Sequence, residues 1–128
     1  ESLFNTPNTF GIYALERVLA WIEDAGGLLA MRDRNEAKAA ALYGMIDSSE
    51  FWTGHAESSV RSRMNVTFRT PSADLDAKFV AQADANGLKG LKGHRSVGGL
   101  RASIYNACDR DSVAALVAFM ADFESANA

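Results

Sequence analysis

Four segments of the chain carry apolar residues every three or four positions, the spacing that places side chains on one face of an α-helix. In the first of these segments the apolar residues occupy a wide arc, so we expect this helix to be covered on two sides and to join this region to another. The predicted helices begin at the N-cap Thr9 and end before Gly26, run from Leu28 to Ile46, run from Pro71 to Gly87, and begin at Asp109 or Asp111.

Two further segments alternate apolar and polar residues, which is the pattern of a strand buried on one face only. They are residues 62–69 and 100–105, and in the second of them Arg101 faces away from the core. A short strand is also predicted at 88–91, whereas residues 47–59 have no period and are interpreted as a loop. The order helix, helix, strand, helix, strand, strand, helix predicts an α+β fold, with helices packed on a small three-stranded sheet.

The composition narrows the class of protein. The chain has 128 residues, of which 48% are hydrophobic, and its 13 basic and 16 acidic residues give a net charge of −3. A net negative charge disfavours binding to nucleic acid or to an anionic membrane. No run of about 20 apolar residues occurs, as a membrane span would need. The single cysteine, Cys108, excludes an internal disulfide and, with two histidines, argues against a metal site. We therefore predict a soluble, cytoplasmic protein.

The segment from Gly93 to Arg101 gathers two guanidiniums and one imidazole among three glycines. Glycine permits backbone conformations that bring neighbouring side chains together, and arginine binds carboxylate or phosphate through two parallel hydrogen bonds. His94 and Arg95 therefore form one candidate anion-binding subsite, and Arg101 forms a second. A glycine-rich turn with solvated arginines explains the same residues equally well. The segment matches neither a Walker A loop nor a dinucleotide-binding fingerprint.

A second candidate site, Asn5-Thr6-Pro7-Asn8-Thr9, precedes the first helix. The amide of Asn5, the hydroxyl of Thr6 and the N-terminus of a helix together suit a phosphate group. Ordinary helix capping explains Thr9 and the proline without any ligand, and on the residues alone it is the favoured interpretation.

The remaining polar residues are interpreted as structural. His55 is assigned to the surface or to packing, and Cys108 to a small buried thiol. Arg61, Arg63 and Arg69 form a basic stripe, which we interpret as solvated edges or subunit contacts because the net charge disfavours an RNA-binding surface.

Longer motifs resemble the phosphoserine aminotransferases, a class-V family of fold-type I aminotransferases. The resemblance covers essentially the whole chain and aligns it with the C-terminal third of those enzymes. The matching segments are Leu91 to Ala107, Asn5 to Phe10, Trp21 to Gly27, Met64-Asn65-Val66 and Val117 to Met120.

The resemblance implies a small C-terminal domain of a homodimer with shared active sites, whose cofactor is pyridoxal 5′-phosphate. The family transfers an amino group between L-glutamate and 3-phosphohydroxypyruvate, giving L-phosphoserine in serine biosynthesis. A related reaction serves pyridoxine synthesis in some bacteria. The resemblance further implies that residues 1–27 hold a cofactor-phosphate loop and an interdomain helix. Residues 28–128 would then form the substrate-gripping domain, and the large catalytic domain would lie outside this chain.

The resemblance also assigns individual residues. Asn5 and Thr6 match the pair that reaches the cofactor phosphate of the neighbouring subunit. Arg101 matches the arginine that binds the substrate α-carboxylate, and His94 and Arg95 match the pair that binds the distal phosphate or carboxylate.

None of the four lysines in the chain matches the family's Schiff-base lysine, so no catalytic residue is assigned. The resemblance therefore predicts a piece of an aminotransferase that is inactive by itself. A free-standing α+β module that binds phosphorylated amino acids without catalysis is the alternative. The sequence preceding Glu1 in the gene distinguishes the two hypotheses.

Overall fold

The chain divides into two units, and a computed structural model describes its residues 4–128. The units are Glu1–Asp33 and Arg34–Ala128. The functional division between residues 27 and 28 stays a prediction.

The four predicted helices are present within the described residues. Asn8, rather than the predicted Thr9, is the N-cap of the first helix, and its Oδ1 accepts a hydrogen bond from the backbone N–H of Gly11 at 3.0 Å. Thr9 is already helical. Ser72 and Asp109 cap the third and fourth helices in the same way. The helices are α1 (Thr9–Asp24), α2 (Gly27–Asp47), α3 (Ala73–Ala85) and α4 (Arg110–Ser125).

The predicted three-stranded sheet is also present, but one of its strands is not the expected one. The strands are β1 (Thr53–Gly54), β2 (Asn65–Arg69) and β3 (Leu100–Ser103). They pair antiparallel in the order β1-β2-β3. The sheet therefore places β2 at its centre, with the predicted alternation of buried and outward-facing residues.

The strand predicted at 88–91 is wrong, and β1 lies in the segment interpreted as a loop. Leu88 instead closes the end of α3, because its backbone N–H donates to the carbonyl of Ala83 at 2.9 Å. Gly90 has a φ of +76°, which interrupts an extended conformation. A single bridge between Lys92 and Leu100 is the pairing found in this region.

The core of the second unit is built around aromatic rings. Trp52 is 3% exposed and contacts Phe68 and Phe79 edge to face, at centroid distances of 5.7 and 5.2 Å. Phe123 of α4 contacts Phe79 at 5.1 Å in the same geometry. Such aromatic pairs are favoured beyond the area that they bury. The sheet and the last two helices are therefore joined through one aromatic cluster.

Lys38 is the most buried charged residue described, with 1% of its surface exposed. Its Nζ donates to the carbonyl oxygens of Ile104, Tyr105 and Cys108 at 3.0, 2.7 and 2.8 Å. Burial lowers the pKa of Lys38, because removing an ammonium from water disfavours its charge. The three acceptors match the three protons of the charged amine. Lys38 thus ties α2 to the turn that joins β3 to α4.

One turn earlier on α2, Asn35 reinforces the same connection. Its side-chain amide donates to Oδ1 of Asn106 at 2.7 Å, and Asn35 is 3% exposed. We call Lys38 and Asn35, with the turn of residues 104–108 that they hold, the Lys38 clamp.

The first unit contains α1, whose apolar side chains are largely exposed. No residue of this helix is buried; Phe10, Ile12 and Leu15 are 79%, 61% and 58% exposed. The covering on two sides that the sequence pattern predicts stays a prediction. No helix in residues 4–128 is long and apolar enough to cross a membrane.

Removing the amine of Lys38 should destabilise the second unit strongly. In Lys38→Met the aliphatic stem is kept, but the carbonyl oxygens of Ile104 and Cys108 lose their donor, whereas that of Tyr105 still accepts from the N–H of Cys108 at 3.0 Å. Each buried unsatisfied group costs about 1–3 kcal/mol. We expect the free energy of unfolding, measured by urea denaturation, to fall by about 2 kcal/mol or more. Lys89→Met is the matched control, because the side chain of Lys89 is 66% exposed. Its loss should stay within about 0.5 kcal/mol. Equal losses of unfolding free energy in the two variants would contradict the stabilising role of the Lys38 clamp.

Candidate functional site

The segment that carries the candidate anion-binding residues forms a hairpin between residues 91 and 101. Its arms are closed by two backbone hydrogen bonds, from Arg101 N–H to the Leu91 carbonyl at 2.8 Å and from Gly93 N–H to the Gly99 carbonyl at 2.9 Å. The tip is held by the carbonyl of His94, which accepts from the N–H groups of Val97 and Gly98 at 2.9 and 2.8 Å. We call this segment the cationic hairpin.

Two glycines let the hairpin fold this tightly. A Cβ at Gly93 would lie 2.1 Å from the carbonyl oxygen of Gly98, a separation that no side chain tolerates. Gly99 has a φ of +66°, and a Cβ there would lie 2.9 Å from the Phe68 carbonyl oxygen on the neighbouring strand. The glycines are therefore required by close approach of backbone to backbone, a reason different from the convergence of side chains that the sequence predicts.

His94 is oriented by a residue that sequence analysis did not single out, Ser96. Nδ1 of His94 accepts from the backbone N–H of Ser96 at 3.3 Å and lies 2.7 Å from its hydroxyl oxygen. Because Nδ1 is an acceptor, the proton of the neutral ring belongs to Nε2. Both His94 and Ser96 are exposed. The imidazole therefore offers an N–H donor to a ligand, whichever charge state it has.

Arg95 and Arg101 differ in burial. Arg95 is exposed at the hairpin tip, whereas Arg101 lies on β3 opposite Thr67 and is half-buried. Nε of Arg101 is buried without a hydrogen-bond partner among the described residues. An unpaired buried donor is costly, so a ligand acceptor would be favourable at this position. Within residues 4–128 neither arginine is in an ion pair.

The hairpin also borders a groove of about 650 Å³. Its opposite wall is α3, which contributes Asp76, Val80 and Asp84, while His94 and Arg95 line the near side. Asp76 is committed to structure, since its Oδ1 accepts from both the N–H and the hydroxyl of Thr70 at 2.8 Å. The groove therefore has room for a small anionic ligand beside the two cations.

The basic stripe predicted from the sequence divides into paired and unpaired residues. Arg61 binds the carboxylate of Asp47 through both Nη atoms and lies 4.5 Å over the ring of Tyr43. This guanidinium holds the pKa of Asp47 below its usual value. Arg63 is paired with Glu36 at 3.1 Å. Arg69 has no carboxylate partner among the described residues, and its Nη2 lies 3.4 Å from Nδ1 of His55.

In the first unit, Asn5 and Thr6 are both exposed just before α1. Neither side chain makes a hydrogen bond to another described residue. An amide N–H₂ and a hydroxyl, with no carboxylate beside them in the sequence, form a donor set that fits a phosphate. The capping that sequence analysis favoured is performed by Asn8, so it does not occupy these two residues.

Comparison with known proteins gives one family for nearly the whole chain. The profile of the family described as Aminotransferase class-V matches residues 1–116. The chain is 56% identical, over 128 residues, to the phosphoserine aminotransferase of Desulfatibacillum aliphaticivorans, and 52% identical to that of Desulfotalea psychrophila. These alignments cover 99% and 98% of this chain but 36% and 35% of the relatives. The chain therefore spans about a third of their length.

Solved structures agree with this result. Phosphoserine aminotransferase from Bacillus circulans subsp. alkalophilus matches with a TM-score of 0.94 and 49% identity, over 99% of this chain and 36% of its own. A PLP-bound phosphoserine aminotransferase from Trichomonas vaginalis matches with a TM-score of 0.86 and 45% identity, over 93% of this chain and 34% of its own. The fold of this chain is thus that of a segment of these aminotransferases.

A side chain at position 93 should open the cationic hairpin. Gly93→Ala places a methyl group on the Gly98 carbonyl, so the backbone must move and the amides of Val97 and Gly98 lose their acceptor. We expect these two amides to exchange with deuterium at least about 10-fold faster, a local loss of about 1.4 kcal/mol. Gly44→Ala is the control, because nothing lies within 4 Å of a Cβ there. Unchanged protection of these amides from exchange in Gly93→Ala would refute the predicted crowding between a Cβ at position 93 and the Gly98 carbonyl oxygen.

Proposed function

Because this chain belongs to the class-V aminotransferase family, which matches residues 1–116, we propose that it supplies the substrate-binding part of a phosphoserine aminotransferase. The whole protein would transfer an amino group between L-glutamate and 3-phosphohydroxypyruvate, giving 2-oxoglutarate and L-phosphoserine. The observation that carries the proposal is the cationic hairpin, which presents His94, Arg95 and Arg101 without carboxylate partners. The identity to phosphoserine aminotransferases, 52–56% in the two relatives above, supports it.

The three cationic residues divide the substrate between them. Arg101 binds the α-carboxylate that every amino and keto acid substrate carries, because its planar guanidinium meets both oxygens at once. Arg95 and the Nε2–H of His94 bind the distal group, which is a phosphate in phosphoserine and a carboxylate in glutamate. Binding the substrate at both its α-carboxylate and its distal group fixes the orientation of the Cα–H bond between them. This orientation is the contribution of the hairpin to the reaction.

Pyridoxal 5′-phosphate is the proposed cofactor, and when bound it supplies the carbonyl group and the electron sink of the amino exchange. Asn5 and Thr6 would hold its phosphate through amide and hydroxyl donors, in the active site of the neighbouring subunit of a homodimer. None of the chain's lysines is proposed to bind the cofactor. Lys38, for example, donates all three of its N–H groups to backbone carbonyl oxygens. The prediction that the 128-residue chain is inactive by itself follows from this.

We place the reaction in the cytoplasm and in serine biosynthesis, with pyridoxine synthesis as a second role. Phosphorylated hydroxythreonine has the same two anionic ends as phosphoserine, so the same residues would bind it. The alternative, a binding module without catalysis, gains no support from the relatives, which are named as aminotransferases.

Replacing Arg101 by lysine should weaken every substrate alike. Lysine keeps the charge but cannot form two parallel bonds to a carboxylate, and losing such a contact at a half-buried position costs on the order of 2 kcal/mol or more. We expect Arg101→Lys to lower kcat/KM about 30-fold or more for both glutamate and phosphoserine, measured on the full-length enzyme that contains this chain. An unchanged kcat/KM for both substrates would remove Arg101 from the site.

Replacing Arg95 should instead discriminate between substrates by their distal group. Phosphate carries nearly two negative charges near neutral pH, the distal carboxylate of glutamate carries one, and alanine has no distal anion. We expect Arg95→Ala to lower kcat/KM for phosphoserine about 100-fold, or about 2.7 kcal/mol, to lower it less for glutamate and to leave alanine almost unchanged. Equal proportional losses on all three substrates would mean that Arg95 supports the fold or the cofactor instead.

A further inference from the structure

The basic stripe contains one arginine whose charge the fold does not neutralise. Arg61 and Arg63 each have a carboxylate partner, Asp47 and Glu36 respectively. Arg69, at the end of β2, is exposed and has none among residues 4–128. Solvation alone accounts for an exposed arginine without a partner, so the surroundings of Arg69 decide whether its charge has a further role. Of the three arginines, Arg69 is the one whose guanidinium is available to an external anion.

The strand register places Arg69 beside the candidate site. Thr67 pairs with Arg101 and Phe68 with Leu100, so Arg69 lies opposite Gly99, two residues before Arg101 on the same outer face. Diagonal neighbours of this kind are about 7–8 Å apart, within reach of two long side chains. The Nε of Arg69 lies 3.8 Å from the position that a Cβ of Gly99 would occupy. Its guanidinium therefore passes over the base of the cationic hairpin.

His55 gives the Arg69 side chain a definite orientation. An arginine can only donate hydrogen bonds, so Nδ1 of His55 is the acceptor in their 3.4 Å contact. The proton of the neutral imidazole is then on Nε2. The sheet thus places a guanidinium beside an imidazole, and the same two residue types are consecutive in the hairpin as His94 and Arg95.

The other outward-facing residues of this face do not compensate the charge. Asn65, Thr67 and Ser103 are neutral, and Ser103 donates to Oδ1 of Asn65 at 3.2 Å. Two positive charges close together on neighbouring strands raise the local positive potential, which favours a bound anion. The face is therefore arranged to receive an anion from outside these residues.

We propose that Arg69, oriented by His55, is a further anion-binding residue that contacts the phosphate of a phosphorylated substrate. This inference rests on the proposed function and extends it by one residue. Arg101 binds a carboxylate of single charge, whereas a phosphomonoester carries nearly two charges and accepts several donors at once. Arg69 lies at Gly99, where the hairpin closes, and so adds its charge between the Arg101 subsite and the hairpin.

The test compares Arg69→Gln with Arg63→Gln in the full-length protein that contains this chain. Both substitutions remove one exposed positive charge near β2, but Arg63 already has its own carboxylate. The first readout is the Kd for inorganic phosphate, measured calorimetrically at fixed ionic strength. We expect Arg69→Gln to raise it about 10-fold and Arg63→Gln to change it less than 2-fold. Arg69→Lys, which keeps the charge, should recover part of the affinity.

The second readout is kcat/KM for phosphoserine and alanine. Arg69→Gln should lower kcat/KM for phosphoserine about 10-fold, mainly through KM, and leave alanine unchanged. Equal effects of Arg69→Gln and Arg63→Gln on phosphate binding would overturn the inference, and so would equal losses on the two amino acids. If the wild-type protein turned over no phosphoserine, the proposed function would fail. The inference about Arg69 would then be decided by the Kd for inorganic phosphate alone.

Discussion

The second unit depends on one buried ammonium group. Lys38 links α2 to the three carbonyl oxygens of a turn, and that turn determines where β3 ends and α4 begins. Because Arg101 lies on β3, the same connection determines the position of a proposed substrate-binding residue. A charge buried for structural reasons thus supports the half-buried Arg101, which is proposed to bind the substrate. Such an arrangement is stable only while every proton of the amine has an acceptor, since an unpaired buried charge would cost far more than it contributes.

The parts of this fold that could be predicted from the sequence are those that depend on residues close together in the chain. Helical periodicity, the caps at Ser72 and Asp109, and the alternation in β2 and β3 all lie within a few residues. β1 could not be predicted, because two residues have no period and become a strand only by pairing with Arg69 and Phe68. The Lys38 clamp was missed for the same reason, since its partners are 66 to 70 residues away.

The candidate site was predictable in part as well. The glycines and the two arginines of the hairpin are visible in the sequence, and the resemblance assigns them roles that remain proposals. What the sequence does not contain is the pairing of charges. Arg61, Arg63 and Arg69 look equivalent in a line of text, and only the fold shows that two of them are neutralised. An arginine left without a carboxylate indicates binding more specifically than a count of basic residues does.

The glycines of the cationic hairpin have a consequence for how recognition could evolve. Gly93 and Gly99 are constrained by backbone contact, whereas the side chains of residues 94–97 project from a frame to which they contribute little packing. The frame and the chemistry that it presents are therefore separable. New side chains at these four positions would alter which anion the proposed site prefers while the strands beneath remain intact. A lineage, or an engineer, could exchange the proposed selectivity for phosphate against selectivity for another group at little cost in folding.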